Sequence, residues 1–239
     1  MRRQLMYLFV LLLVLFAVSL PIAAADFAGI EEDILTKQIP LIEKSIAALE
    51  EYLAENPEDG QALWLTAKAY LYLGDEVDDG KLEVFETGQK YADRAVEHLP
   101  DSPHSHYWQS ALIGRVGQTR GILSSLFMVR PMKDALDRVL ELDQDYADAY
   151  WVLSQLYHQA PGFPLSIGNK KLALENANKA LELDAENLEY ILQLALVLEY
   201  NGRKEEAKQV VTDLLKKPEI ENEPKVKADA EEFLAKLDK

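Results

Sequence analysis

Apolar residues fall at every third or fourth position through most of this chain, the period of helices with one buried face. In the last such stretch Ile191, Leu194, Ala195 and Leu198 mark one helix and Ala207, Val211 and Leu214 a second, with Asn201-Gly202 as the turn between them. Upstream, Tyr150, Leu153, Ser154 and Tyr157 are followed by Ala173, Ala177 and Ala180. Earlier still, Leu63, Ala67 and Tyr70 are followed by Gly88, Ala92, Ala95 and Pro100. The second helices end on related segments, RAVEHLPDSP, RVLELDQDYA and KALELDAENL, which align Ala95, Val139, Ala180 and Leu214 at separations of 44, 41 and 34 residues. No Val/Ile/Thr alternation argues for a sheet.

Small residues at matching places let antiparallel helices approach, and large ones fill the groove between them. Ala67, Ala95, Ala177, Ala180, Ala195 and Ala207 are the small positions, and Tyr70, Tyr150 and Tyr157 the large ones. Together with the 34-residue separation they resemble the tetratricopeptide repeat over roughly residues 56–217. The resemblance implies an all-α, right-handed α-solenoid of about four helix pairs with capping helices. The division expected is 1–25 signal peptide or membrane anchor, 26–55 N-terminal capping helix, 56–217 repeats with long insertions, and 218–239 C-terminal capping helix. Leu41, Ile42, Ile46, Leu49 and Leu53 give the first cap its apolar side. Val226, Ala230, Phe233, Leu234 and Leu237 do the same for the last, leaving polar outer faces.

The first residues read as an export signal: Arg2 and Arg3, an apolar run from Leu5 to Ile22, then Ala23-Ala24-Ala25 before Asp26. An uncleaved anchor is the competing reading, because the run approaches the roughly 20 residues that cross a bilayer. Both readings place the repeats outside the cytoplasm, in the periplasm or cell envelope. The absence of cysteine rules out disulfides, thiol chemistry and cysteine-based metal sites. The net charge of −16, which becomes −18 without Arg2 and Arg3, disfavours nucleic acid as a partner.

The acidic charge is unevenly spread. Ser102 to Met132 and Ala149 to Leu174 contain no Asp or Glu, and both coincide with insertions between paired helices, GRVGQTRGILSSLFMVRP and HQAPGFPLSIGN. A third insertion, GDEVDDGKLEVFET, is acidic. Insertions of this kind emerge on one edge of a solenoid, often the binding edge. The candidate binding residues are therefore Arg115, Arg120, Phe127, Arg130, Lys133, Phe163 and Lys170. They either roof the solenoid or line an apolar pocket with a basic rim suited to a carboxylate or an acidic segment. Thr119 to Met128 is expected to form an extra short helix, with Arg130 extended and Pro131 opening the next helix.

HYWQSALIGRVGQTRGILSSLFMVRPMKDALDRVLELDQDYADAYWVLSQLY, with EYILQLALVLEYNGRKEEAKQVVTDLLKKP and the closing charged helix, resembles the regulator-of-microtubule-dynamics type of tetratricopeptide protein. It is also similar to the T-component of tripartite ATP-independent periplasmic (TRAP) transporters. The latter resemblance implies association with a solute-binding or membrane subunit and possible homo-oligomerisation, although no cysteine follows the signal as in a lipoprotein. No His-Glu-x-x-His, Gly-x-Ser-x-Gly or phosphate-loop motif occurs, so no catalytic residue, metal ligand or cofactor is expected. The expected function is that of an exported protein-interaction scaffold. The alternative is a ligand-binding or TRAP-transport accessory protein with an apolar pocket under the loops.

Overall fold

Helical hairpins follow one another along the chain in the computed structural model, which describes residues 26–239. The expected signal segment, residues 1–25, lies outside the described residues. The helices are α1 (Phe27–Leu35), α2 (Ile39–Glu55), α3 (Gly60–Glu76), α4 (Lys81–His98), α5 (Pro103–Arg120) and α6 (Ile122–Leu142). They continue with α7 (Ala147–Gln159), α8 (Lys170–Leu183), α9 (Leu188–Tyr200), α10 (Lys204–Leu214) and α11 (Pro224–Leu237). A 3-10 turn, Pro218–Asn222, precedes α11, and no strand occurs among the described residues. The architecture is the expected all-α solenoid. Residues 26–55 differ from the single expected cap: α1 and α2 form a further hairpin, with Ile34 of α1 fully buried.

Helix ends follow local chemistry. The carboxylates of Asp26 and Asp59 accept from the backbone N–H groups of Gly29 and Ala62. Those of Leu172 and Glu189 donate to the side-chain oxygens of Asn169 and Asn187, so four helices have a side-chain N-cap. Pro40, Pro103 and Pro224 sit in first turns, where no N–H partner is needed. Gly202, at φ 79°, reverses the chain after α9, and the next N–H, that of Arg203, donates to Leu198 O at 2.9 Å.

The second insertion is built otherwise than its sequence predicts. α5 runs unbroken to Arg120, Gly121 alone makes the turn at φ 106°, and α6 passes straight through Pro131. Arg130 is thus helical, and Pro131 is an interior residue. Proline removes the N–H that would bond the carbonyl four residues back. That carbonyl belongs to Phe127, which is 74% exposed, so water can satisfy it.

First helices pack on first helices, α1 on α3, α3 on α5 and α7 on α9, whereas no two second helices pack comparably. Stacking that crowds one helix of each pair and spreads the other curves the array, with the first helices on the inner face. Between the two layers Ala67, Ala95, Ala177, Ala180, Ala195 and Ala207 are buried, as is Tyr157. Tyr70 and Tyr150 are half-buried, and their hydroxyls donate to Glu50 Oε1 (2.7 Å) and Gln144 O (3.1 Å). Ser154, at a small position, is satisfied inside the core: its hydroxyl donates to Ala173 O (2.8 Å) and accepts from Gln193 Nε2 (2.9 Å).

Candidate binding groove

Of the residues of the expected loop edge, Arg115 and Lys133 are half-buried and the others exposed, and most of the charged ones are partnered. Arg115 Nη2 lies 2.8 Å from Asp75 Oδ2, Arg120 Nη2 2.6 Å from Glu86 Oε1, and Lys133 Nζ 2.5 Å from Asp137 Oδ2. Lys170 Nζ sits 4.9 Å from the ring centre of Tyr200. Arg130 is exposed, as are Phe127 and, at 93%, Phe163; Ile122 beside the α5–α6 turn is 89% exposed. Two shallow depressions are present among the described residues, the first of them at this edge beside the Arg120–Glu86 pair. One is polar, between the α3–α4 connection and Thr119; the other lies along α1 and α2. Phe127 and Phe163 line neither.

The inner face holds a series of rings that the sequence reading did not single out. Trp64 of α3 stacks on His104 of α5, with ring centres 4.9 Å apart. His104 meets Tyr146, at the start of α7, edge-on at 5.4 Å, with Nδ1 and Oη at hydrogen-bond distance, 3.0 Å. Tyr146 lies 5.1 Å from Tyr107, and Tyr107 4.9 Å from Trp108. Tyr72 faces Trp108 at 6.4 Å, and Trp151 of α7 faces Tyr190 of α9 at 6.0 Å. All three tryptophans of the chain stand in this wall. Each follows a core position by one residue, and they are 44 and 43 residues apart, close to the repeat length. That spacing was the signal that could have found them.

Charge is threaded through the rings. Lys68 is buried between the rings of Trp108 (5.3 Å) and Tyr72 (5.9 Å), and its ammonium pairs with Glu31 of α1 at 2.5 Å. Lys37, in the α1–α2 turn, reaches across to Glu223 before α11 at 3.3 Å, joining opposite ends of the array. At the centre Asp148 accepts a short hydrogen bond from the Tyr190 hydroxyl. Its charge also bears on Tyr72, Tyr107, Tyr146, His104 and Glu189, so one carboxylate influences groups on four first helices.

Burial pushes the Tyr72 phenol up to about 12, with Glu189 and Asp148 adding to it, and raises those of Tyr107, Tyr146 and Tyr190 as well. The hydroxyls of the wall therefore stay protonated as donors. Desolvation, seconded by Lys68, lowers His104 below its ordinary value against the pull of Glu31, Asp143 and Asp148. Glu189 is raised, first by desolvation and then by Asp148 and Glu223, which oppose Lys37 and Lys225. Its side chain nevertheless reaches solvent, as expected for a carboxylate inside a concavity. No cluster of three or more His, Asp or Glu with metal-site geometry occurs among the described residues.

Trp64, Tyr107, Trp108 and Tyr190 are buried, and the partly open rings of Tyr72, His104, Tyr146 and Trp151, with Asp148 and Glu189, are left to meet an extended segment through stacking, hydrogen bonds and charge. The family model described as regulator of microtubule dynamics protein 1-3 matches residues 32–160, more than half of the chain. No curated protein sequence matches. Among solved structures, the chain is similar to TTC0263, a thermophilic tetratricopeptide protein of Thermus thermophilus. The identity is 17% and the TM-score 0.64, covering 87% of this chain and 96% of that one. It is also similar to MamA, at 20% identity and a TM-score of 0.54, covering 81% and 96% of the two chains. For MamA from Desulfovibrio magneticus RS-1 the identity is 18% and the TM-score 0.54, with 80% and 92% covered. These likenesses show a tetratricopeptide-type fold; a T-component is not among them.

Proposed function

The chain belongs to the regulator of microtubule dynamics protein 1-3 family, and from that premise we propose that it is a non-catalytic scaffold whose inner groove holds a segment of a partner protein. The observation that carries this reading is the wall of aromatic side chains on α3, α5, α7 and α9, crossed by Lys68, Asp148 and Glu189. The rings of Tyr72, His104, Tyr146 and Trp151 are partly open, held in place by the buried ones behind them, and so offer contact area at little conformational cost.

Residues 1–25 then serve to carry the repeats out of the cytoplasm, either cleaved near Asp26 or kept as an anchor. A solute-binding or membrane subunit as partner rests on sequence resemblance alone. The groove is tested by partner recovery from native envelope extract with the full chain, Trp151→Ala and Phe127→Ala, followed by native mass spectrometry. Trp151→Ala is expected to lose the partner that Phe127→Ala retains. The reverse outcome moves binding to the loop edge, and a chain found only in the cytosol contradicts export.

A further inference from the structure

Pairing inside the groove leaves an imbalance of charge. Lys68 is matched by Glu31 and Lys37 by Glu223, both within the chain. Asp148 and Glu189 have no basic partner within ion-pair distance among the described residues; Asp148 only accepts from a neutral phenol. Lys225 is the remaining cation near Glu189, and Asp148 and Glu223 bear on the same carboxylate with the opposite sign. Asp148, at the Tyr190 hydroxyl, and Glu189, on which Lys37 and Lys225 act only from beyond ion-pair distance, thus lack a direct cationic partner in a molecule of net charge −16, close to the paired rings of Trp151 and Tyr190. The same wall already shows how it treats a cation, because Lys68 rests between Trp108 and Tyr72 with a carboxylate against its ammonium.

We propose that the occupant of the groove is a basic peptide segment, with an arginine or lysine side chain held against Asp148 and Glu189 and lying against the half-buried Trp151. This deepens the scaffold reading and presupposes that the groove binds peptide. The cation gains charge-assisted hydrogen bonds to the carboxylates and the attraction of the ring faces, strengthened by a site that is partly shielded from water.

The test is selection from a displayed library of random twelve-residue peptides against the full-length chain at physiological salt. Selected peptides are then titrated against the wild type, the double variant Asp148→Asn/Glu189→Gln, and the outward-facing control Glu205→Gln. Asp148→Asn leaves an acceptor for the Tyr190 hydroxyl, and circular dichroism verifies that the double variant is folded. The expected result is enrichment of arginine or lysine at one fixed position, with affinity falling about tenfold or more in the double variant and unchanged in the control. Peptides enriched without a basic residue, or bound equally by the double variant, overturn the basic-partner inference while leaving a peptide groove standing. Failure to enrich any peptide overturns both.

Discussion

Ala195 is fully buried where α9 meets α10, in the second of two apolar clusters, beside Leu198, Ala207 and Val211. A longer side chain has no room there, so Ala195→Arg buries an unpaired charge or pries the hairpin apart. The expected cost is about 4 kcal/mol or more, read as a large fall in the thermal midpoint. Gly88 is subtler. An added Cβ would stand 2.7 Å from Tyr70 Cβ and 3.0 Å from Leu112 Cδ2, and a Cβ fixed to the backbone cannot yield cheaply. Gly88→Ala gains up to about 1 kcal/mol in helix propensity but overpacks by about 1–3 kcal/mol. A lower midpoint in urea is therefore expected, and a higher one would contradict this packing. Such small positions were legible because their period and their register are fixed by the close approach of helices. The tryptophans were less so. Trp64, Trp108 and Trp151 each stand one residue past a core position, where periodicity alone assigns either the edge of the core or the surface.

At the scale of elements, the closing helix α11 buries Val226, Ala230, Phe233 and Leu237 in the cluster containing Val211 and Leu214. Phe233→Ala should cost about 3–5 kcal/mol in denaturant unfolding. Loss of the whole helix should expose an apolar face and promote association, measurable by light scattering. The α5–α6 tip behaves oppositely. Ile122 and Phe127 face solvent, so Ile122→Ser with Phe127→Ser is expected to shift stability by less than about 0.5 kcal/mol per site. Helix α11 and the caps at Asp59, Asn169 and Asn187 follow rules that act within a few residues, and the sequence displays them. The path of α6 through Pro131 does not, because a proline is ordinarily read as a start or a break, and here it falls one turn after the exposed residue Phe127. Helix α1 was equally hidden, with nine residues directly after the apolar run.

Over the whole molecule, curvature brings together groups that no local rule connects. The contact between Lys37 and Glu223 spans 186 positions, and Asp148 influences side chains from Tyr72 to Tyr190. Histidines tie this assembly to pH. His104 and His158 are both lowered in the fold, chiefly by desolvation, so below about pH 6.5 the unfolded chain binds more protons than the folded one. Their contribution to stability is complete above that pH and is lost as the pH falls. Glu189, raised in the fold, works in the opposite sense at more acidic pH, where the folded chain holds the extra proton. The denaturation midpoint should thus decline from pH 7 to pH 5.5, and His104→Gln should flatten that decline. A midpoint that rises over this range would be inconsistent with desolvation holding His104 and His158 below their ordinary values.

All three tryptophans stand in the inner wall, and Trp151 is the one left partly open, so selectively excited tryptophan emission reports on the groove and on the core directly behind it. The most direct measurement is therefore a titration of the full-length chain with a selected or recovered partner segment. Tryptophan emission and its quenching by acrylamide are followed alongside the anisotropy of a label on the segment. If the groove is the binding face, emission shifts and quenching decreases in step with anisotropy, and Trp151→Ala weakens both. Saturable anisotropy with unaltered tryptophan emission, abolished instead by Phe127→Ala or Arg130→Glu, would contradict the groove and assign recognition to the loop edge.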